Sequence, residues 1–147
     1  VEEDPLIGDV NDAAKKIHQK LKEIESSTKP TAIVWGGETT VKIKGSGLGG
    51  RNQELALIVA ELAHQDPIRK SWTFLSGGTD GRDGPTEAAG AIVDQETCKR
   101  ILNEGYQVYD FLAENNSNKA LQISNDLLHT GATGTNVADV QILIVSQ

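Results

Sequence analysis

Apolar residues recur along this chain with two different periods, and the switching between them draws an α/β domain. Over Asp9–Ser26, Val10, Ala13, Ala14, Ile17, Leu21 and Ile24 fall three, four and seven apart with Lys and Glu between them. That is the stripe of an amphipathic helix, with Asn11 or Asp12 as the expected N-cap. Ser26–Pro30 is a turn. Thr31–Trp35 is β-branched and apolar, and predicts a buried strand ending at Gly36-Gly37. Thr39–Lys44, with Val41 and Ile43 alternating, predicts a second strand and hence a hairpin. Asn52–His64 is apolar almost all round through Leu55, Ala56, Leu57, Ile58, Val59 and Leu62, so its helix should be covered on most sides.

Beyond Pro67 the elements shorten. Trp72–Leu75 reads as a strand, Ser76–Thr86 as a loop, Ala91–Val93 as a short strand and Gln95–Glu104 as a helix stopped by Gly105. Tyr109–Ala113 and Asn118–Ile123 read as short helices. Val140–Val145 is β-branched or Leu throughout except Gln141, the pattern of a central strand covered on both faces. The alternation predicts one α/β domain built on a mixed, mostly parallel sheet flanked by helices.

A chain of 147 residues with 37% apolar content closes one core without disulfides or metal staples. Cys98 has no partner and lies on the helical face Glu96–Leu102, which points to a reducing compartment. No apolar run reaches membrane-spanning length, and Glu2, Glu3 and Asp4 make the start acidic where a targeting segment is basic. The expectation is a cytoplasmic protein, with no membrane partner. A net charge of -7 repels polyanions, which argues against nucleic acid and leaves any phosphate to be bound locally. The absence of Met and the start at Val1 read as a segment of a longer polypeptide, with removal of an initiator Met as the alternative.

Three glycine-rich loops carry the candidate chemistry. Gly45-Ser46-Gly47-Leu48-Gly49-Gly50-Arg51-Asn52 lies at the N-terminus of the buried helix, where free N–H groups and the dipole favour an anion. Its spacing approaches two phosphate-binding fingerprints without completing either. No acidic residue follows at the distance a ribose requires, and Arg51 and Asn52 stand where a phosphate loop has Lys and Ser or Thr. What remains is an anion site in which Arg51 grips a carboxylate or phosphate through two donors, or a tight turn in which Arg51 pairs with Glu54 or another surface acid.

In the second loop, Asp80 and Asp83 are spaced to hold a hard cation or orient a hydroxyl, or else simply to cap their own turn. The third, His129–Asn136, offers Thr133, Gly134, Thr135 and Asn136 ahead of the last strand, with Asp139 near that strand's start; a plain connection reads equally well. Glu38, after Gly36-Gly37, completes the set, or is a strand-end carboxylate in water. His18, His64 and His129 have no zinc spacing. Asn115-Asn116-Ser117 matches the glycosylation pattern without a secretory context.

Taken in order, Gly36–Val41, Gly45–Leu57, Gly77–Thr86 and Thr130–Val137 resemble the C-terminal domain of the glycerate 2-kinases, the MOFRL domain, over residues 31–145. Residues 1–30 match poorly and read as a connecting region and first helix. The resemblance implies transfer of the ATP γ-phosphoryl group to the 2-hydroxyl of D-glycerate with magnesium. The reaction would occupy a cleft shared with a Rossmann-like N-terminal domain of the same polypeptide. A homo-oligomer stays open.

On that reading Arg51 takes the substrate carboxylate or the transferring phosphoryl, and Asp80 and Asp83 take Mg2+ or the attacking hydroxyl. Glu38, Gly45, Gly47, Gly49, Gly50, Asn52, Thr79, Thr133, Gly134, Thr135 and Asn136 surround the remaining oxygens. Relatives carry Asp where Asn116 stands, so that triplet is left out. Phosphoryl transfer depends on positioning and charge stabilisation, so the lack of a covalent nucleophile fits it. The competing classes are a non-catalytic anion-binding or regulatory module and a hydroxypyruvate reductase-type oxidoreductase.

Overall fold

A computed structural model describes residues 1–146. Six strands form one sheet: β1 (Leu6–Asp9), β2 (Thr31–Thr40), β3 (Trp72–Gly78), β4 (Gly90–Asp94), β5 (Leu127–Leu128) and β6 (Asp139–Val145), in the order β1-β2-β6-β3-β4-β5. Five helices join them: α1 (Val10–Ile24), α2 (Arg51–Gln65), α3 (Thr97–Asn103), α4 (Val108–Ala113) and α5 (Ser117–Ser124). Among the described residues, no helix is long and apolar enough to cross a membrane. The sheet is mixed, as expected, though not by way of the expected hairpin, and its direction is the reverse of the expected majority. Only β1–β2 is parallel; β2–β6, β6–β3, β3–β4 and β4–β5 are antiparallel.

The expected hairpin at 31–44 is a single ten-residue strand. Gly36-Gly37 does not stop it, because β6 pairs along Thr31–Gly37 and β1 takes over from Gly37 to Thr40. Gly37 marks the handover: its φ is 141°, and a Cβ there would lie 2.2 Å from the Leu6 carbonyl oxygen. Segment 41–44 is not a strand. Residues 1–30 supply edge strand β1 and the whole of α1, which Asp9 caps by accepting from the Asn11 N–H at 2.8 Å, in place of Asn11 or Asp12.

The core lies between one sheet face and the helices. Ile33, Leu143, Phe74 and Val93 form a cross-strand row under α1 and α2, and all four are buried. α2 is buried nearly all round, as its sequence predicts. β6 lies in the sheet interior, yet it is not covered on both faces: Leu143 and Val145 are buried while Ile144 is 51% exposed. The helices therefore flank one side. β3 runs three residues beyond its predicted end, to Gly78, and this brings the end of β3 and the start of β6 level with Gly37 of β2: Gly37, Asp139 and Gly78 are paired across β2, β6 and β3. The functional loops leave from that edge.

Candidate functional site

All four motifs meet at this edge, the first of them through Glu38, which lies 3.4 Å from Arg51. The loop after β3 is tied to the segment before β6: Thr79 donates its N–H (3.0 Å) and its hydroxyl (2.7 Å) to the Ala138 carbonyl, and Val137 N–H donates to Thr79 Oγ1 at 2.8 Å. The Thr133 hydroxyl donates to the Thr79 carbonyl. Gly81, at φ 88°, fits against the Gly131 carbonyl, where a Cβ would stand at 1.9 Å. The same loop meets the start of α2 through Gly84, whose Cβ would lie 2.5 Å from the Gly49 carbonyl oxygen. Gly134, Thr135 and Asn136 are exposed on the far side of the Thr133 contact, and Asn136 Oδ1 accepts from Ala138 N–H at 3.2 Å.

The glycines of 45–50 do something other than the sequence suggests. Their open faces are filled by protein: a Cβ would meet Glu114 Cα at 2.4 Å from Gly45, Asn116 Cβ at 2.4 Å from Gly47, and Ser117 Oγ at 2.3 Å from Gly49. Backbone donors are spent the same way. Asn115 Oδ1 accepts from Lys44 N–H (2.6 Å) and Gly45 N–H (3.0 Å), Glu114 carbonyl accepts from Gly47 N–H, and Asn116 Oδ1 accepts from Leu48 N–H. The loop is thus packed against the turn between α4 and α5 along the Cβ sides of Gly45 and Gly47, although Gly47 also borders the cleft at the start of α2.

Further along, Asn52 and Gln53 N–H groups donate to Asp83. Among the described residues, the N–H groups of Gly49, Gly50 and Arg51 have no acceptor. They open at the N-terminus of a 15-residue helix, onto a cleft of about 250 Å³ bordered by Val41, Ile43, Gly84 and Pro85. Unfilled donors there favour an anion.

Arg51 makes a two-point contact, but with the protein. Its Nε and Nη2 donate to the Asp139 carboxylate at 2.6 and 2.9 Å, and Nη1 lies 3.4 Å from Glu38. The bidentate grip predicted for a ligand is taken by Asp139, whose side chain is 1% exposed. This pairing holds the guanidinium charged, with its acidity pushed further down by the Asp139 hydrogen bonds. The outer edge, Nη1, remains beside exposed Glu38.

The two loop aspartates part company. Asp80 is exposed; its Oδ1 accepts from Arg82 N–H at 3.0 Å, and its other oxygen is open to a pocket of about 590 Å³ lined also by Arg82 and His129. Asp83 is 2% exposed and turns inward, where both of its oxygens accept hydrogen bonds from α2. The expected Asp80–Asp83 cation pair is therefore not assembled, and no group of three or more potential ligands occurs among the described residues. Burial pushes the Asp83 carboxyl above its usual range against those hydrogen bonds.

Sequence reasoning passed over Asn115. It is 4% exposed, sits at φ 52°, and donates Nδ2 to the Glu54 carboxylate at 3.0 Å while holding Lys44 and Gly45. Tandem Asn before a short helix is a turn signal that could have located it.

The MOFRL family model matches residues 31–139. The chain is 46% identical over 134 residues to a glycerate kinase of Macaca fascicularis, which covers 88% of this chain and 34% of that one. It is 44% identical over 142 residues to a D-glycerate 2-kinase of Thermotoga maritima, covering 93% and 33%. Among solved structures, a glycerate kinase from Thermotoga maritima superposes with a TM-score of 0.89 at 43% identity, covering 96% of this chain and 34% of that chain. A Pyrococcus horikoshii protein gives 0.85 at 41% identity, covering 97% and 33%. The chain thus spans about a third of these relatives.

Proposed function

The chain belongs to the MOFRL family, and we propose that it is the C-terminal domain of a glycerate kinase. In that role it contributes part of a site that moves the ATP γ-phosphoryl group onto the 2-hydroxyl of D-glycerate. The observation that carries the reading is the row of free N–H groups at Gly49, Gly50 and Arg51, set on one sheet edge with the Asp80 and Thr133–Asn136 loops. Phosphoryl transfer asks for such fixed donors and an oriented acceptor more than for a nucleophile.

The roles follow from what each group has left to give. The 49–51 N–H groups and the outer edge of Arg51 receive phosphoryl or carboxylate oxygens. Asp80 has the open carboxylate oxygen, and Mg2+ is commonly held by one or two carboxylates together with substrate phosphates. Asp80 thus fits the ion while Asp83, with both oxygens engaged, does not. An ion held by Asp80 would neutralise charge on the substrate phosphates. Thr135 and Asn136, exposed in the loop tied to Thr79, would orient the hydroxyl. The rest of the cleft belongs to an N-terminal domain preceding these residues, in a cytoplasmic enzyme.

A coupled ADP-release assay with D-glycerate, ATP and Mg2+ on the full-length enzyme tests this. Asp80→Asn should lower turnover by at least ~100-fold, the scale of one well-aligned charge. Wild type without glycerate-dependent turnover would replace the kinase with a non-catalytic anion-binding module. Residues 1–147 alone should turn over little, because half a cleft must fix both substrates without the opposing wall.

A further inference from the structure

We propose that Asp83 is a positioning residue, an internal anion that caps α2 from a distant loop and thereby leaves the 49–51 N–H groups for a ligand. The functional consequence rests on the kinase reading; the geometry does not. Gly50, the N-cap residue, has no side chain to bond the first turn. Asp83 performs that task across 31 residues: Oδ1 accepts from Asn52 N–H at 3.1 Å and Nδ2 at 3.2 Å, and Oδ2 accepts from Gln53 N–H and Nε2, each at 2.9 Å. Glycine at 50 is the condition for this contact, since a Cβ would lie 2.4 Å from the Asp83 carboxylate carbon.

The clamp continues outward in both directions. Asn52 Oδ1 accepts from Ser76 Oγ at 2.7 Å, and Gln53 Oε1 accepts from Asn118 Nδ2 at 2.8 Å, which ties α2 to β3 and α5. The Asp83 carbonyl accepts from Thr86 Oγ1 at 2.7 Å. One carboxylate therefore fixes the Asp80 loop to the helix end that carries the free N–H groups, and so sets the spacing between the two ligand-facing elements. Its own oxygens have no direction left for a cation.

Two measurements test this on separate grounds. In the 147-residue chain, amide exchange followed by NMR should be at least ~10-fold faster at Asn52 and Gln53 in Asp83→Asn than in wild type, while Phe74 and Leu143 exchange unchanged. Asn keeps the shape and one acceptor, so the variant folds; unchanged exchange at 52 and 53 overturns the clamp. In the full-length enzyme, Asp83→Asn should lower kcat at least ~10-fold while the Mg2+ concentration for half-maximal rate stays put. A rise in that concentration of ~10-fold or more would make Asp83 a metal ligand and overturn the proposal. Absence of turnover in wild type would remove the kinase reading and leave the exchange result to decide Asp83.

Discussion

Gly84→Ala is the sharpest test of the loop packing. Gly84 has φ 59°, and a Cβ there would lie 2.5 Å from the Gly49 carbonyl oxygen and 3.1 Å from Gly50 Cα, both backbone atoms that cannot swing away. Gly105 supplies the control: its φ is 86° with no heavy atom within 4 Å of the added carbon. Both variants incur the left-handed backbone cost of about 1–2 kcal/mol. Only Gly84→Ala adds overpacking, about 1–3 kcal/mol. The difference, about 2 kcal/mol, corresponds to roughly 4–8 °C in Tm for a domain of this size. Thermal denaturation of the two variants beside wild type reads that gap directly. The damage should also be local, with NMR shifts at Gly49–Gln53 and Thr79–Thr86. Equal melting of Gly84→Ala and Gly105→Ala, within about 2 °C, would mean the loops are not packed against each other and would refute the reasoning.

Asp139→Asn should destabilise the domain by about 1–3 kcal/mol in urea denaturation, because it weakens charged hydrogen bonds to Arg51 from a buried position. Asn115→Gly keeps the φ of 52° accessible and deletes only the side chain, so its loss of about 1–3 kcal/mol isolates the hydrogen bonds to Lys44, Gly45 and Glu54. Burial pushes the Glu54 carboxyl up, against the Asn115 hydrogen bond and Lys44. The folded state then keeps a proton that the unfolded chain has released, so the contribution of Glu54 to stability is greatest below the unfolded carboxyl pKa. It falls as pH rises from there through the folded value. Glu54→Gln should flatten that decline in urea titrations run upward in pH from the free carboxyl pKa of about 4.3. Cys98 is buried, with its thiol pushed well above the usual range, so a thiol reagent should label it only at the rate of unfolding; fast labelling of the native chain would contradict its packing.

The parts of the fold legible in the sequence are those whose signal is local. α2 announces itself by apolar residues on every side, and α1 by a clean stripe. The direction of β6 is set by pairing with segments over 50 residues away, and nothing in Val140–Val145 says that it will insert antiparallel between β2 and β3. Its unbroken apolar run suggested cover on both faces, yet one face carries exposed Ile144. The glycine pair at 36–37 looked like a stop because its cause, the crossing of β1, is itself a four-residue strand too short to have a period.

The site was legible as a set of loops and illegible in its polarity. Glycines in a loop read as room for a ligand, and at 45 and 47 they admit the α4–α5 turn. Asp83, in a Gly-Arg-Asp-Gly-Pro stretch, has the composition of a solvated turn, so its burial leaves no local mark. The mark lies at the other end of the contact. A buried helix that opens on glycine lacks a cap, and two polar residues in its first turn, Asn52 and Gln53, are fully buried and so require partners. An acceptor with more than one lone pair must come from elsewhere, and a carboxylate satisfies four donors where a hydroxyl or carbonyl satisfies two. That requirement narrows the source to an acidic residue in a loop able to reach the helix end without side-chain interference, which Gly84 and Gly50 make the 79–86 loop. The same inference assigns the ligand what the carboxylate leaves behind, the three N–H groups one turn earlier.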